Sequence, residues 1–266
     1  NLPIDGHVPL SMRARDVAPQ VQSLEHLRNY EMDCVNDPEI WLAARQQQLA
    51  NTANEPGNVL RTRLHELQRL TAISNEDPEV CAGLTKALKA TVTVPTLRMN
   101  SMDLHIPFMR AGFEQAMQLI PASVQQEWRV ARTALLASEE PVDTTFAEWS
   151  LRRTGELHAA GVPIAAGTDT PIGWSIPGYS LHTELEQYVE VGMTPLEALH
   201  SATVAPAEYF GLEDEMGQLK VGFIADAVLL TGNPLENIID TRRVQAVINR
   251  GALLTRAQLD GLITER

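Results

Sequence analysis

Three side chains that could bind a metal ion follow short apolar segments that the sequence predicts to be strands. His7 follows a short segment at the start of the chain, His26 ends the predicted strand 21–26, and Asp169 follows the apolar run 162–166. Imidazole nitrogens and carboxylate oxygens are the donors that zinc and related divalent ions take from proteins. A bound metal can lower the pKa of its water to about 7 and polarise a carbonyl, while an adjacent aspartate moves the proton to a leaving nitrogen. The pattern therefore predicts a metal site that could activate a water molecule beside a proton-transferring aspartate.

Each of these residues also has a simpler explanation when it is considered alone. His7 is compatible with a turn cap before Pro9, and His26 with a histidine packed in the core. The Gly-Thr-Asp sequence that contains Asp169 also occurs in ordinary turns. Taken together at the ends of predicted strands, the three residues favour the metal-binding hypothesis, because barrel enzymes place their chemistry at the carboxyl ends of their strands.

The segments that must position these side chains predict a mixed α/β chain. Start signals at Asp37-Pro38 and Asp77-Pro78 favour helices, and Thr194 with Glu197 forms a predicted capping box. Three helices are predicted within 36–90. Further helices are predicted at 123–138, 144–160, 181–191 and from Thr194 onward. The further predicted strands are 91–97, 216–222, 225–231 and 244–248.

Composition and charge exclude several classes of protein. With 34 acidic against 21 basic side chains, the 266-residue chain has a formal net charge of −13, which argues against binding to nucleic acid. No apolar run approaches the roughly 20 residues needed to cross a bilayer, so no membrane association is expected. Cys34 and Cys81 do not suggest a disulfide framework or a zinc motif, and we predict that both are buried thiols. No signal peptide is visible and the chain begins at Asn1, so the location is unknown, with the cytoplasm as the default expectation.

Several motifs extend over most of the chain and occur in a fixed order. They are G-H-V-P at 6–9, S-L-E-H-L at 23–27, A-A-G-T-D-T-P at 165–171 and G-Q-L-K-V-G-F-I-A-D at 217–226. With these motifs the chain resembles the amidohydrolase superfamily, in the branch related to imidazolonepropionase and Xaa-Pro dipeptidases. The resemblance implies a partial TIM-like (β/α) barrel, comprising strands five to eight, with a helical insert and C-terminal β strands of a composite β-sandwich domain.

The resemblance also implies a role for individual residues. His7 and His26 would be metal ligands at the ends of the fifth and sixth barrel strands. Asp169, at the end of the eighth, would be both a metal-associated residue and the catalytic proton shuttle. His182 and Arg98 would contact a small-molecule substrate. The expected cofactor is a divalent metal, zinc by default, with one or two ions in the complete enzyme.

The chain departs from the family pattern at the start of the barrel. No H-x-H sequence occurs, and no lysine precedes Lys86, although the family carries both in its first strands. We therefore expect the C-terminal portion of a longer enzyme, with half of a barrel at 1–205, a helical insert at about 36–90, and a β-rich region at 206–266. The alternative is a non-catalytic half-barrel that associates with itself, because open sheet edges and an exposed apolar face favour homo-oligomers.

Overall fold

A computed structural model describes residues 3–51 and 55–264 of the chain. The helices are α1 (Ala14–Val17), α2 (Pro38–Ala50), α3 (Gly57–Ser74), α4 (Pro78–Leu88), α5 (Leu97–Asn100), α6 (Phe113–Met117), α7 (Ala122–Leu136), α8 (Thr145–Ala159), α9 (Tyr179–Glu190), α10 (Pro195–Ala202), α11 (Val204–Tyr209) and α12 (Arg256–Thr264). The strands are β1 (Ser23–Glu25), β2 (Val92–Val94), β3 (Ala227–Leu230), β4 (Val244–Asn249) and β5 (Ala252–Thr255). The fold is therefore α/β, as predicted. Within the described residues, no helix combines the length and the apolar character needed to cross a membrane.

The chain packs as two compact units. Unit 1 comprises Asn1–Pro95 and Asp143–Ala165, and unit 2 comprises Thr96–Val142 and Ala166–Arg266. This division is based on packing, and the predicted domain boundary at 205/206 stays a prediction.

Unit 1 is built around short parallel strands covered by helices. β1 pairs with β2 in parallel, with Leu24 opposite Thr93. The amides of Gln22 and Glu25 donate to the carbonyls of Ile4 (2.9 Å) and Gly6 (3.0 Å), so the segment before His7 lies alongside β1, outside the two-stranded sheet. The core beneath is apolar, and its fully buried members include Leu27, Leu84, Leu88, Trp149 and Leu157.

The predicted strand 162–166 is reduced to a single bridge. Ile164 pairs in parallel with Thr93, and hydrogen bonds run from Thr93 N to Pro163 O (2.9 Å) and from Ala165 N to Thr93 O (3.1 Å). Pro163 has no N–H, so it cannot donate to a longer ladder.

The two cysteines correct a prediction. Cys34 and Cys81 are buried, as expected, but they are joined by a disulfide and are not free thiols. Val35 and Glu76 form an antiparallel bridge beside the disulfide, and the amide of Asp77 donates to the carbonyl of Cys34 at 2.6 Å. The cross-link therefore closes the base of the segment that contains α2 and α3.

Unit 2 contains an antiparallel sheet in the order β3-β4-β5 and an aromatic cluster that includes Phe113, Trp128 and Trp174. α9 packs one polar and aromatic face inward, and α10 begins with the predicted capping box of Thr194 and Glu197. The strand expected within 216–222 is absent from the described residues there, which form turns and bends instead. No neighbouring strand pairs with this stretch, so its alternating apolar residues remain exposed.

Candidate metal and catalytic site

Parallel pairing in unit 1 places two histidines side by side. His7 follows the segment that is hydrogen-bonded to β1, and His26 directly follows β1, so the two residues lie beside the same end of β1. Their ring centroids are 4.9 Å apart, with an angle of 69° between the ring planes. The structure therefore brings together the two histidines that were predicted to be metal ligands.

The backbone at His26 has an uncommon conformation. His26, Leu27 and Asn29 have φ angles of 62°, 54° and 63°, in the left-handed region that non-glycine residues rarely adopt. The amide of His26 donates to the carbonyl of Val94 at 2.8 Å, and Leu27 is fully buried, so the surrounding structure holds the turn in place. Such conformations cluster at functional sites, and this one directs a buried imidazole to the end of the sheet.

The ring of His7 is more accessible and lies beside an arginine of α3. Nη1 of Arg61 is 3.4 Å from Nδ1 of His7. Because a guanidinium can only donate, Nδ1 of His7 is the unprotonated nitrogen in this arrangement. Two neighbouring imidazoles are a donor set of the type that zinc and related ions prefer.

Among the described residues, the one group of three metal-donor side chains that lie close together is Cys34, Glu76 and Cys81. The two sulfurs of this group are joined to each other, and the carboxylate of Glu76 is paired with Arg152 and Arg153. This cluster is therefore a cross-link beside an ion-pair network, and it does not offer free metal ligands.

Asp169 belongs to unit 2 and also has a left-handed backbone, with φ 48°. Its carbonyl accepts a hydrogen bond from the amide of Ile172 at 2.9 Å, which closes a turn. Hydroxyl groups stabilise the same loop: Thr170 Oγ1 lies 2.9 Å from Thr168 Oγ1 and 2.6 Å from Ser175 Oγ. The loop thus presents the predicted proton shuttle from a constrained backbone.

Arg98, a predicted substrate contact, is buried and holds the loop that follows Asp169. Its Nη1 donates to the carbonyl of Gly173 at 2.7 Å and its Nη2 to that of Ile172 at 2.8 Å. Burial lowers the pKa of Arg98 to about 10, against the opposing effect of the Glu184 and Asp169 carboxylates. With these nitrogens bound to backbone, the side chain stabilises the loop, and its contact with substrate stays a prediction.

Glu184 is the residue that sequence reasoning placed wrongly. The acidic cluster of Glu184, Glu186 and Glu190 in the sequence is typical of a solvated helix face, yet Glu184 is fully buried. Its carboxylate accepts hydrogen bonds from the amides of Leu97 (2.8 Å) and Arg98 (2.7 Å). Burial raises the pKa of Glu184 to about 7, although these hydrogen bonds act in the opposite direction. The sequence could have indicated this burial through helical spacing, because Glu184 shares a face of α9 with the buried residues Ser180, Gln187 and Tyr188.

His182, the other predicted substrate contact, packs within unit 2. Its Nδ1 lies 2.9 Å from Oγ1 of Thr241. Burial lowers the pKa of His182 to about 4, and the neighbouring Arg242 acts in the same direction. The imidazole is therefore neutral at pH 7, and its contact with substrate stays a prediction.

Comparisons with known proteins identify relatives for part of the chain. Residues 148–254 match the amidohydrolase family. Ochratoxinase from Aspergillus niger is 47% identical over 81 residues, which is 30% of this chain and 16% of ochratoxinase. Imidazolonepropionase from Aeromonas hydrophila is 34% identical over 91 residues, covering 34% of this chain and 22% of the relative.

A solved structure shows the same fold over nearly the whole chain. Bottromycin amidohydrolase superposes with a TM-score of 0.64 and 19% sequence identity, covering 98% of this chain and 52% of that protein. The chain thus spans about half of this structural relative, and the matched stretches span less than a quarter of the curated relatives. The chain is thus similar to the amidohydrolase family over residues 148–254, and it shares the fold of an amidohydrolase over nearly its whole length.

Proposed function

We propose that this chain is part of a metal-dependent amidohydrolase that cleaves amide or cyclic amide C–N bonds in a small-molecule substrate. The observation that carries the proposal is the pair of imidazoles of His7 and His26, whose ring centroids are 4.9 Å apart beside the end of β1. Zinc is the default cofactor, with one or two ions in the complete enzyme. His7, His26 and Asp169 would hold it.

The metal ion, Asp169 and Arg98 would have separate roles in the reaction. When bound, the metal supplies Lewis-acid activation of a water molecule and of the scissile carbonyl. The carboxylate of Asp169 takes a proton from the attacking water and delivers it to the departing nitrogen, so that amide and water become carboxylic acid and amine. Arg98 keeps the loop of Asp169 in place through the carbonyls of Ile172 and Gly173.

We also propose that the four parallel segments of unit 1 are consecutive barrel strands. These segments, in spatial order, are 4–6, β1, β2 and the bridge residues 163–165. Under this proposal they are strands five to eight of a TIM-like barrel, and β3, β4 and β5 belong to a composite β-sandwich. The order of pairing supports consecutive strands, because sequential βα units of a barrel pair with their neighbours, and the numbers five to eight come from the family resemblance.

The proposal is tested by amide hydrolysis with the zinc-loaded chain. A panel of N-acyl amino acids, Xaa-Pro dipeptides and cyclic amides is assayed for release of amine. Asp169→Asn should lower the rate about 10²- to 10⁴-fold, as expected for loss of a proton-transfer group. Asp16→Asn, at an exposed position of α1, is the matched control and should leave the rate unchanged. Release of amine at the wild-type rate by Asp169→Asn would overturn the proposed role of Asp169, and a zinc-loaded chain that releases no amine would exclude activity of this part of the enzyme by itself.

Self-association is the second candidate, and one feature of unit 2 favours it. Leu219 is 85% exposed and Val221 is fully exposed, next to an apolar groove of about 440 Å³ that is lined by Phe210, Leu212 and Ile224, among others. Apolar surface of this kind favours association between molecules. Light scattering after size-exclusion chromatography tests this candidate, since a monomer at every concentration would exclude a homo-oligomer.

A further inference from the structure

A buried amide links the two loops that carry the predicted histidine ligands. Asn29 lies three residues after His26 and is 1% exposed. Its Nδ2 lies 3.3 Å from the carbonyl of Val8 and 3.5 Å from that of Pro9, the two residues after His7. One side chain thus connects the backbone of the His7 loop to the turn that carries His26.

An arginine from α2 fixes the orientation of this amide. Arg45, also 1% exposed, donates from Nη1 to Oδ1 of Asn29 at 2.5 Å. A guanidinium can only donate and a carbonyl can only accept, so the oxygen of Asn29 must face Arg45 and its nitrogen must face Val8 and Pro9.

Arg45 is itself held from α3. Its Nε donates to Oε1 of Gln68 at 2.6 Å, and Nε2 of Gln68 donates to the carbonyl of Trp41 at 3.2 Å. Burial lowers the pKa of Arg45, and the nearby carboxyl group of Glu31 acts in the opposite direction. The network therefore runs from α3 through α2 to both histidine loops. It is shielded from water, and hydrogen bonds are electrostatically stronger in the protein interior than in water.

From this geometry we infer that Asn29, oriented by Arg45, is a positioning residue. It holds His7 and His26 in the relative positions that metal binding requires. The inference rests on the proposed function, because it assigns a role to residues that do not themselves touch the metal. Partners that orient metal ligands through hydrogen bonds commonly affect metal affinity without being ligands.

Asn29→Asp tests the inference because it changes one atom. The carboxylate still accepts from Arg45, but its second oxygen faces the carbonyls of Val8 and Pro9 and can no longer donate to them. Thr91→Val is the matched control: it removes a buried hydrogen bond from Thr91 Oγ1 to Ala18 O (2.5 Å) at the opposite end of the strand pair.

Two readouts are compared among the wild-type chain and these variants. Amide hydrogen exchange in the metal-free protein should rise about tenfold in peptides 7–12 and 26–30 of Asn29→Asp, as expected for a lost buried donor. Zinc affinity, measured by competition with a chromophoric chelator, should fall about 10- to 100-fold. Thr91→Val should change neither the local exchange nor the zinc affinity. If Asn29→Asp does not fold, Arg45→Lys provides the second variant, because a lysine loses the fork that reaches both Asn29 and Gln68.

The outcomes separate this inference from the proposed function. Unchanged exchange in both peptides overturns the linkage whether or not zinc binds. Faster exchange with unchanged zinc affinity overturns the positioning role and leaves the proposed function intact. A wild-type chain that does not bind zinc overturns the proposed function and the inference together.

Discussion

Removal of the Cys34–Cys81 disulfide is expected to destabilise unit 1 strongly. The cross-link joins residues 47 positions apart and closes a loop that contains α2 and α3. In the chain-entropy account, a cross-link over a loop of this length restricts the unfolded chain by about 4 kcal/mol. Urea unfolding of Cys34→Ala/Cys81→Ala, monitored through hydrogen exchange of the unit 1 amides, should therefore give a free energy of unfolding about 4 kcal/mol lower than that of the wild type.

The wild-type protein provides the matched comparison for this prediction. Treatment with a phosphine reductant should lower its unfolding midpoint toward that of the double variant, which has no disulfide to reduce. Equal midpoints for the oxidised and reduced wild type, or two thiols that react with iodoacetamide in denaturant without reductant, would refute the reasoning.

Two buried groups of unit 2 are expected to give opposite dependences of stability on pH. The folded state raises the pKa of Glu184 from 4.5 to about 7, so between these values it retains a proton that the unfolded chain has lost. The Glu184 contribution to the free energy of unfolding therefore falls as pH rises through this window, by an amount on the order of 3 kcal/mol. Glu184→Gln should abolish this loss in urea titrations from pH 4.5 to 7, and an unchanged profile would contradict it. His182 has its pKa lowered from 6.5 to about 4, so its stabilising effect is lost as pH falls through that range. His182→Asn should make the protein less sensitive to acid, and equal acid sensitivity in the variant and the wild type would count against this assignment.

Local signals in the sequence predicted the helices well. Asp77 and Pro78 mark the start of α4, and in the structure Oδ1 of Asp77 accepts from the amides of Glu79 (2.9 Å) and Val80 (3.4 Å). Such caps depend on residues only two or three positions apart, and the sequence shows them directly.

Contacts between distant parts of the chain could not be predicted in the same way. The carboxylate of Glu184 binds backbone amides 86 and 87 positions earlier, and the disulfide spans 47 positions. Nothing in the neighbouring residues reveals these partners, so a buried glutamate resembled a surface residue and two bonded cysteines resembled free thiols. The candidate histidines were identified because each closes a short predicted strand, whereas the network of Asn29 and Arg45 behind them is visible only in three dimensions.

The metal content of the purified chain tests the central claim most directly. The wild-type chain, His7→Ala/His26→Ala and the control His200→Ala, an exposed residue of α10, are dialysed against zinc and then against metal-free buffer. The account predicts about one tightly held ion per wild-type chain, as in a site with histidine ligands, with the same content in the control and its loss in the double variant. A wild-type zinc content no higher than that of the double variant would contradict the assignment of His7 and His26 as metal ligands.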